Sequence, residues 1–121
     1  EVNMAIPSGS GTEVLKRASI NNMTNSWTPV ITGVANHIYT VISVIFCEQG
    51  NATESPSMRV DVSAAGSNQI QILEATTLTP YSTFIFSDRI VLTGTDKLEV
   101  KNEGSTSSID VWVSYIDQDW S

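Results

Sequence analysis

The stretch Ile90-Val-Leu-Thr-Gly-Thr-Asp-Lys-Leu-Glu-Val-Lys-Asn-Glu-Gly-Ser-Thr-Ser-Ser-Ile-Asp-Val-Trp-Val-Ser-Tyr-Ile116 sets the reading of the whole chain. It predicts three antiparallel strands joined by two turns. Ile90 to Leu92 is a short apolar run, and Thr93-Gly94-Thr95-Asp96 is a turn. Lys97 to Lys101 alternates, with Leu98 and Val100 on one face and three charges on the other. Asn102-Glu103-Gly104-Ser105 gives a second turn, and Ile109 to Ile116 is a long strand. Period-two alternation puts one side of such a meander on a core and the other toward solvent or a neighbour.

Upstream the same grammar repeats. Thr12 to Ile20 suits an edge strand, with Val14, Ala18 and Ile20 on one side and Glu13, Leu15, Arg17 and Ser19 on the other. Trp27 to Val34 contains Pro29 and Gly33, which confine it to an edge or an irregular strand. His37 to Cys47 is dense in β-branched residues, so it reads as a strand and not a helix. Its alternation puts Ile38, Ile42, Val44 and Phe46 on one face and Tyr39, Val41, Ile45 and Cys47 on the other. Apolar residues on both faces ask for cover on both. Met58 to Val62, Gln69 to Leu73 and Thr83 to Phe86 are shorter strands between polar connectors. Strand candidates recurring every 8–12 residues, without a capped helical segment, predict an all-β antiparallel sandwich or jelly roll of about eight or nine strands. The domain is expected over 12–121, preceded by an extended arm over 1–11 whose Pro7-Ser8-Gly9-Ser10-Gly11 buries nothing.

Charge narrows the function classes. Six Lys and Arg against 13 Asp and Glu give −7. A surface of that sign repels phosphate backbones, so nucleic acid is not an expected partner. The longest mainly apolar run, Ile38 to Cys47, is half of what a membrane helix needs, so no membrane association is expected and the protein reads as soluble. One cysteine, Cys47, excludes an intrachain disulfide.

The sequence carries no catalytic or metal-binding constellation, and no cofactor is expected. His37, the single histidine, lacks neighbours at metal-ligand spacing and reads as a satisfied structural residue. Cys47 reads as a small apolar filler. The acids are dispersed over strand surfaces (Asp61, Glu74, Glu99, Asp110) and turns (Asp88, Asp96, Glu103). Asp117-Gln-Asp119 has oxygens for calcium, but a solvated acidic terminus is the plainer reading. A hydrolase would need clustered ionisable groups, so this reading ranks last.

Aromatic placement says more. In the final strand Ile109, Val111, Val113 and Tyr115 share one face, and Asp110, Trp112, Ser114 and Ile116 the other. If the first set faces the core, Trp112 and Ile116 stand outward. A large indole there stacks on a sugar, is covered by another subunit, or is packed by the domain's own loops. With the doubly apolar strand from His37, this makes Trp112, Ile116, Tyr39 and Val41 the candidate oligomer contacts.

The segments Trp27-Thr-Pro-Val-Ile-Thr-Gly-Val34, Tyr39-Thr-Val-Ile-Ser-Val-Ile-Phe46, Met58-Arg-Val-Asp-Val62, Ile90 to Lys101 and Ser108 to Ile116 resemble a group of small virion structural proteins of tailed bacteriophages. The resemblance spans about residues 12–117 and is most specific over 90–116. It departs in the polar insertion 48–56 and in the Gly/Ser tail. What it implies is a non-enzymatic β-sandwich that decorates or cements a capsid, often as a homotrimer, bound to the major capsid protein at the capsid surface of the virion. Ile6, Pro7, Ser8 and Gly9 are then candidate capsid contacts in the arm. The alternative is a tail- or fibre-associated module binding host glycans through Trp27, Trp112 or Trp120.

Overall fold

The computed structural model describes residues 11–104 and 107–120. The arm candidates Ile6, Pro7, Ser8 and Gly9 lie outside them. Nine strands are present: β1 (Thr12–Met23), β2 (Thr28–Thr32), β3 (His37–Glu48), β4 (Pro56–Asp61), β5 (Gln69–Leu73), β6 (Thr83–Phe86), β7 (Ile90–Thr93), β8 (Lys97–Asn102) and β9 (Ile109–Asp119). They form two antiparallel sheets. One runs β1-β9-β3, with β6 and β7 end to end along the far side of β3; the other runs β2-β8-β4-β5. This interleaved order is a jelly roll, and the expected fold class holds.

The expected meander does not. β7, β8 and β9 never pair with one another. β7 and β9 pair β3, while β8 lies in the opposite sheet between β2 and β4. Alternation reports which face of a strand is apolar, not which strand lies beside it. The 93–96 turn is a corner between sheets. Gly94 N donates to His37 O at 2.9 Å on one side, and Gly33 N donates to Asp96 O at 2.9 Å on the other. Asp96 holds the corner with both carboxylate oxygens, accepting from Thr93 N at 3.0 Å and Ser63 N at 2.8 Å. Gly94 turns at φ +58. A Cβ on Gly33 would stand 2.1 Å from Gly94 O, so only glycine admits this approach.

The core fills the space between the sheets. Phe46, Val44, Met58, Leu92, Leu98 and Val111 are among its buried members. β3 enters it with a phase change. Val41 pairs Tyr115 and Ser43 pairs Ser114, which leaves Ile42 as an extra residue. A bulge of this kind flips the alternation. Tyr39 and Val41 therefore share the inner face with Val44 and Phe46, a correction to the unbroken alternation read from sequence. Part of the apparent double apolarity of β3 is this phase change within a single covered face.

Candidate interaction face

The outer face of the five-stranded sheet is built from the residues that the registers leave pointing away from the core. On β9 these are Asp110, Trp112, Ser114 and Ile116, opposite the buried Ile109, Val111 and Val113. Ser19 of β1 lies beside Trp112 on one side and Ile45 of β3 on the other, with Ile85 of β6 next in line. A second row crosses the sheet as Leu15, Ile116, Thr40 and Val91. Trp112 is 40% exposed, Ile85 58%, Val91 59% and Leu15 72%. A depression of about 260 Å³ lies on this face, lined in part by Ile45, Cys47, Asp110 and Trp112.

Polar groups lie around these rows and between them: Arg17, Ser114 and Ser43 cross the sheet between the two, and Thr40 interrupts the second. The Arg17 guanidinium lies 4.9 Å from the centre of the Trp112 ring. Asp110 Oδ1 accepts from Asn22 N at 2.9 Å and from Gln49 Nε2 at 3.0 Å, and Gln49 also reaches Asn22 Oδ1 at 2.9 Å. These bonds tie the start of β9 to the end of β1 and the loop after β3, which fixes one margin of the depression.

Of the four contact candidates, Trp112 and Ile116 stand on this face. Tyr39 and Val41 do not: at 3% and 0% exposure they have nothing to offer a second subunit. Sequence reading missed Ile45, Ile85, Val91 and Leu15 as contributors. Leu15 was the available signal, since it is the one large apolar residue on the polar side of β1. Cys47, expected as filler, is exposed on this face instead.

Several ionisable residues are tied into the fold. Asp117, expected in a solvated terminus, is 5% exposed on the inner side of β9. Its carboxylate accepts from Lys16 Nζ of β1 at 2.8 Å and from His37 Nδ1 of β3 at 2.7 Å. Burial pushes its pKa up, but the Lys16 and His37 hydrogen bonds outweigh this and hold it below the ordinary 3.8. His37 also stacks on Tyr39, ring centres 5.7 Å apart, and is the satisfied structural residue expected. Asp61 and Glu99, read as strand-surface acids, are buried: Asp61 accepts from Gly66 N, and Glu99 pairs with Arg59. Glu48 is buried where β3 ends, accepting from the Ser108 hydroxyl. Among the described residues no group of three His, Cys, Asp or Glu side chains is placed to hold a metal ion.

No protein-family model and no curated protein matches the chain. Among solved structures, a chain of the IBDV viral particle superposes with a TM-score of 0.56 at 7% identity, covering 88% of this chain. This chain spans 31% of that one, so the likeness concerns about a third of the viral protein. A structure from the Bacillus endospore appendages, a family of disulfide-linked pili, superposes with a TM-score of 0.50 at 12% identity over 98% of this chain and 97% of that one. At these identities the likeness is one of fold.

Proposed function

We propose that the chain is a non-enzymatic structural protein of a virion, and specifically a decoration or cement protein that lies on the outer shell of a tailed-bacteriophage capsid. The observation that carries the reading is the outer face of the five-stranded sheet. Large apolar side chains left exposed together on one sheet face, here Trp112, Ile85, Val91 and Leu15, mark a surface that a partner covers. Four strands' width at ~4.8 Å spacing, and about 11 residues at ~3.3 Å, make a face of roughly 700 Å². A standard protein interface takes about 800 Å² from each partner, so a shell subunit would cover the whole face, its polar row together with its apolar ones. Trp112 is the expected anchor, because tryptophans at the centre of an interface carry a large share of its energy. The function is mechanical: burial of this face against shell subunits adds cohesion that resists internal pressure. The fold shared with a viral-particle chain and a pilus protein supports the reading in kind, since both belong to assembled structures.

A second reading, a glycan-binding module on a tail or fibre, rests on the depression beside Trp112 with its Asp110 margin. Against it, Arg17 already lies over the indole ring that a sugar would stack on. The test uses particles purified from the lysate in which this gene is expressed. Peptides of the chain are expected in the particle fraction, and particles stripped of it should rebind the full-length recombinant protein. Trp112→Ala should weaken rebinding about 30-fold, the equivalent of a hot spot of ~2 kcal/mol. Particles that lack the chain, or rebind Trp112→Ala as well as the unmodified protein, defeat the reading. A shift in tryptophan fluorescence with host polysaccharide would favour the glycan module.

A further inference from the structure

We infer that two copies of the chain pair edge to edge through β1, about a two-fold axis centred on Leu15, joining their five-stranded sheets into one. The inference goes beyond shell binding, which uses the face of the sheet and not its edge.

The starting point is that a sheet edge is a row of unpaired backbone donors and acceptors, and natural domains guard such edges. Among the described residues, three of the four edges are guarded. The far side of β3 carries two separate four-residue strands, β6 and β7, where one continuous template would be needed. The β2 edge contains Pro29 and a register shift at Pro29/Ile31. The β5 edge is five residues long, with a shift where it leaves Met58. β1 is twelve residues long, has no proline, and is irregular only near its end, between Ile20 and Met23.

Lys16 and Arg17 would ordinarily count as edge guards. Lys16 is turned back onto its own domain, its Nζ 2.8 Å from Asp117 Oδ2, while Arg17 over Trp112 and Glu13, which accepts from Gln118 Nε2 at 3.2 Å, stay on the outer face beside the edge as charges of opposite sign. Between them along the edge lie Val14 at 45% exposure and Leu15 at 72%.

Charge then selects the register. In an antiparallel pair that keeps both outer faces on the same side, residues of like face must oppose each other. A centre at Lys16 or Arg17 sets that cation against its own copy. A centre at Val14 sets Glu13 against Leu15. A centre at Leu15 sets Glu13 against Arg17 of the second copy, twice by symmetry, and Leu15 against itself. Val14 then lies against the stem of Lys16. This self-complementary strand is what a closed two-fold interface requires. The paired sheet presents two copies of the Trp112 face side by side, which doubles the apolar area offered to a shell. In this arrangement the count is two, in place of the three implied by the family resemblance.

The test is the mass in solution of the full chain at about 100 μM, well above a micromolar dissociation constant. The expected mass is twice 13.1 kDa. Glu13→Arg or Arg17→Glu alone should weaken pairing at least about tenfold, since two attractions become two repulsions. The double variant Glu13→Arg/Arg17→Glu should restore it. In a Cys47→Ser background, Leu15→Cys should form an intermolecular disulfide under mild oxidation. Trp112→Ala should lose particle binding and keep the doubled mass, which separates failure of the shell-binding reading from failure of this one. A mass of 13.1 kDa, a mass of three chains, a double variant without rescue, or dissociation by Trp112→Ala each overturns the pairing.

Discussion

Both sheets turn a tryptophan toward the outside, and they treat it differently. Trp27, flanking the four-stranded sheet, is boxed in by charge. The Arg59 guanidinium lies 4.0 Å from its ring centre and the Lys101 ammonium 5.6 Å. Arg59 Nε is in turn 2.8 Å from Glu99 Oε1, and Lys101 Nζ is 3.2 Å from Glu103 Oε1. Trp112, on the five-stranded sheet, has Arg17 on one side and otherwise sits in an apolar row ending at Ile85. The charged face covers its aromatic with two cations of the same chain, while Trp112 has one and stays 40% exposed. The contrast separates a polar network satisfied within the chain from an exposed apolar surface, the one proposed above to meet a shell.

The contrast breaks most visibly under substitution of its two centres. Arg59→Met leaves the Glu99 carboxylate, 10% exposed at its side chain, without its partner. Removing one member of a buried ion pair costs about 3 kcal/mol or more, because the other charge stays desolvated. Urea denaturation should show a loss of that size. Trp112→Ala, exposed and outside the core, should change folding stability by less than about 1 kcal/mol. If Trp112→Ala is the more damaging to the fold, the indole is structural and the distinction between the faces fails.

How far the sequence reveals this contrast depends on what sits across from each strand. Strand positions were legible because apolar residues alternate: β1, β3, β8 and β9 all begin within one residue of where the period places them. The faces of β1 were legible too, and so was its place at an edge. Strand partners were not. The 90–116 stretch reads equally well as a meander or as three strands dealt to two sheets, and the choice was made by Gly33 and Ser63, far away in sequence, closing on Asp96. The bulge at Ile42 was invisible for a similar reason. One inserted residue in a run of β-branched side chains changes no residue type, yet it moved Tyr39 and Val41 from the candidate interface into the core. Glu99 and Asp117 looked like surface acids because Arg59 and Lys16, which make their burial tolerable, lie 40 and 101 residues away in the chain. Trp112 and Ile116 could be placed on the outer face because the final strand alternates without interruption up to them.

The inner margin of the apolar sheet gives a pH test of intermediate size. Asp117 faces Lys16 from β1 and His37 from β3, with Tyr39 and Tyr115 behind and Asp119 beyond the far nitrogen of His37 at 3.4 Å. Its folded pKa lies below the ordinary 3.8, so the contribution is fully present above that value and disappears as pH falls through the lower, folded one. A hydrogen bond to a charged group is worth about 1.5–3 kcal/mol. Asp117→Asn should therefore be less stable than the unmodified chain at pH 6, and the gap should narrow below about pH 3.5. A gap independent of pH would show that the Asp117 contacts do not depend on its charge.

The smallest effect lies back on the charged face. Lys101 and Glu103 form a partly exposed pair at 3.2 Å, and the Lys101 ammonium is the more distant of the two cations around Trp27. Lys101→Gln keeps most of the aliphatic stem and removes only the charge. Pairs of this kind contribute about 0.2–1 kcal/mol, and salt screens them within roughly 10 Å at 0.1 M. The substitution should cost less than about 0.5 kcal/mol in low salt and nothing measurable at 0.5 M. Arg59→Met should stay costly in both, because its partner is shielded from solvent. A large, salt-resistant loss for Lys101→Gln would mean the charged face is more deeply sealed than its exposure shows, with Trp27 and not Arg59 at its centre.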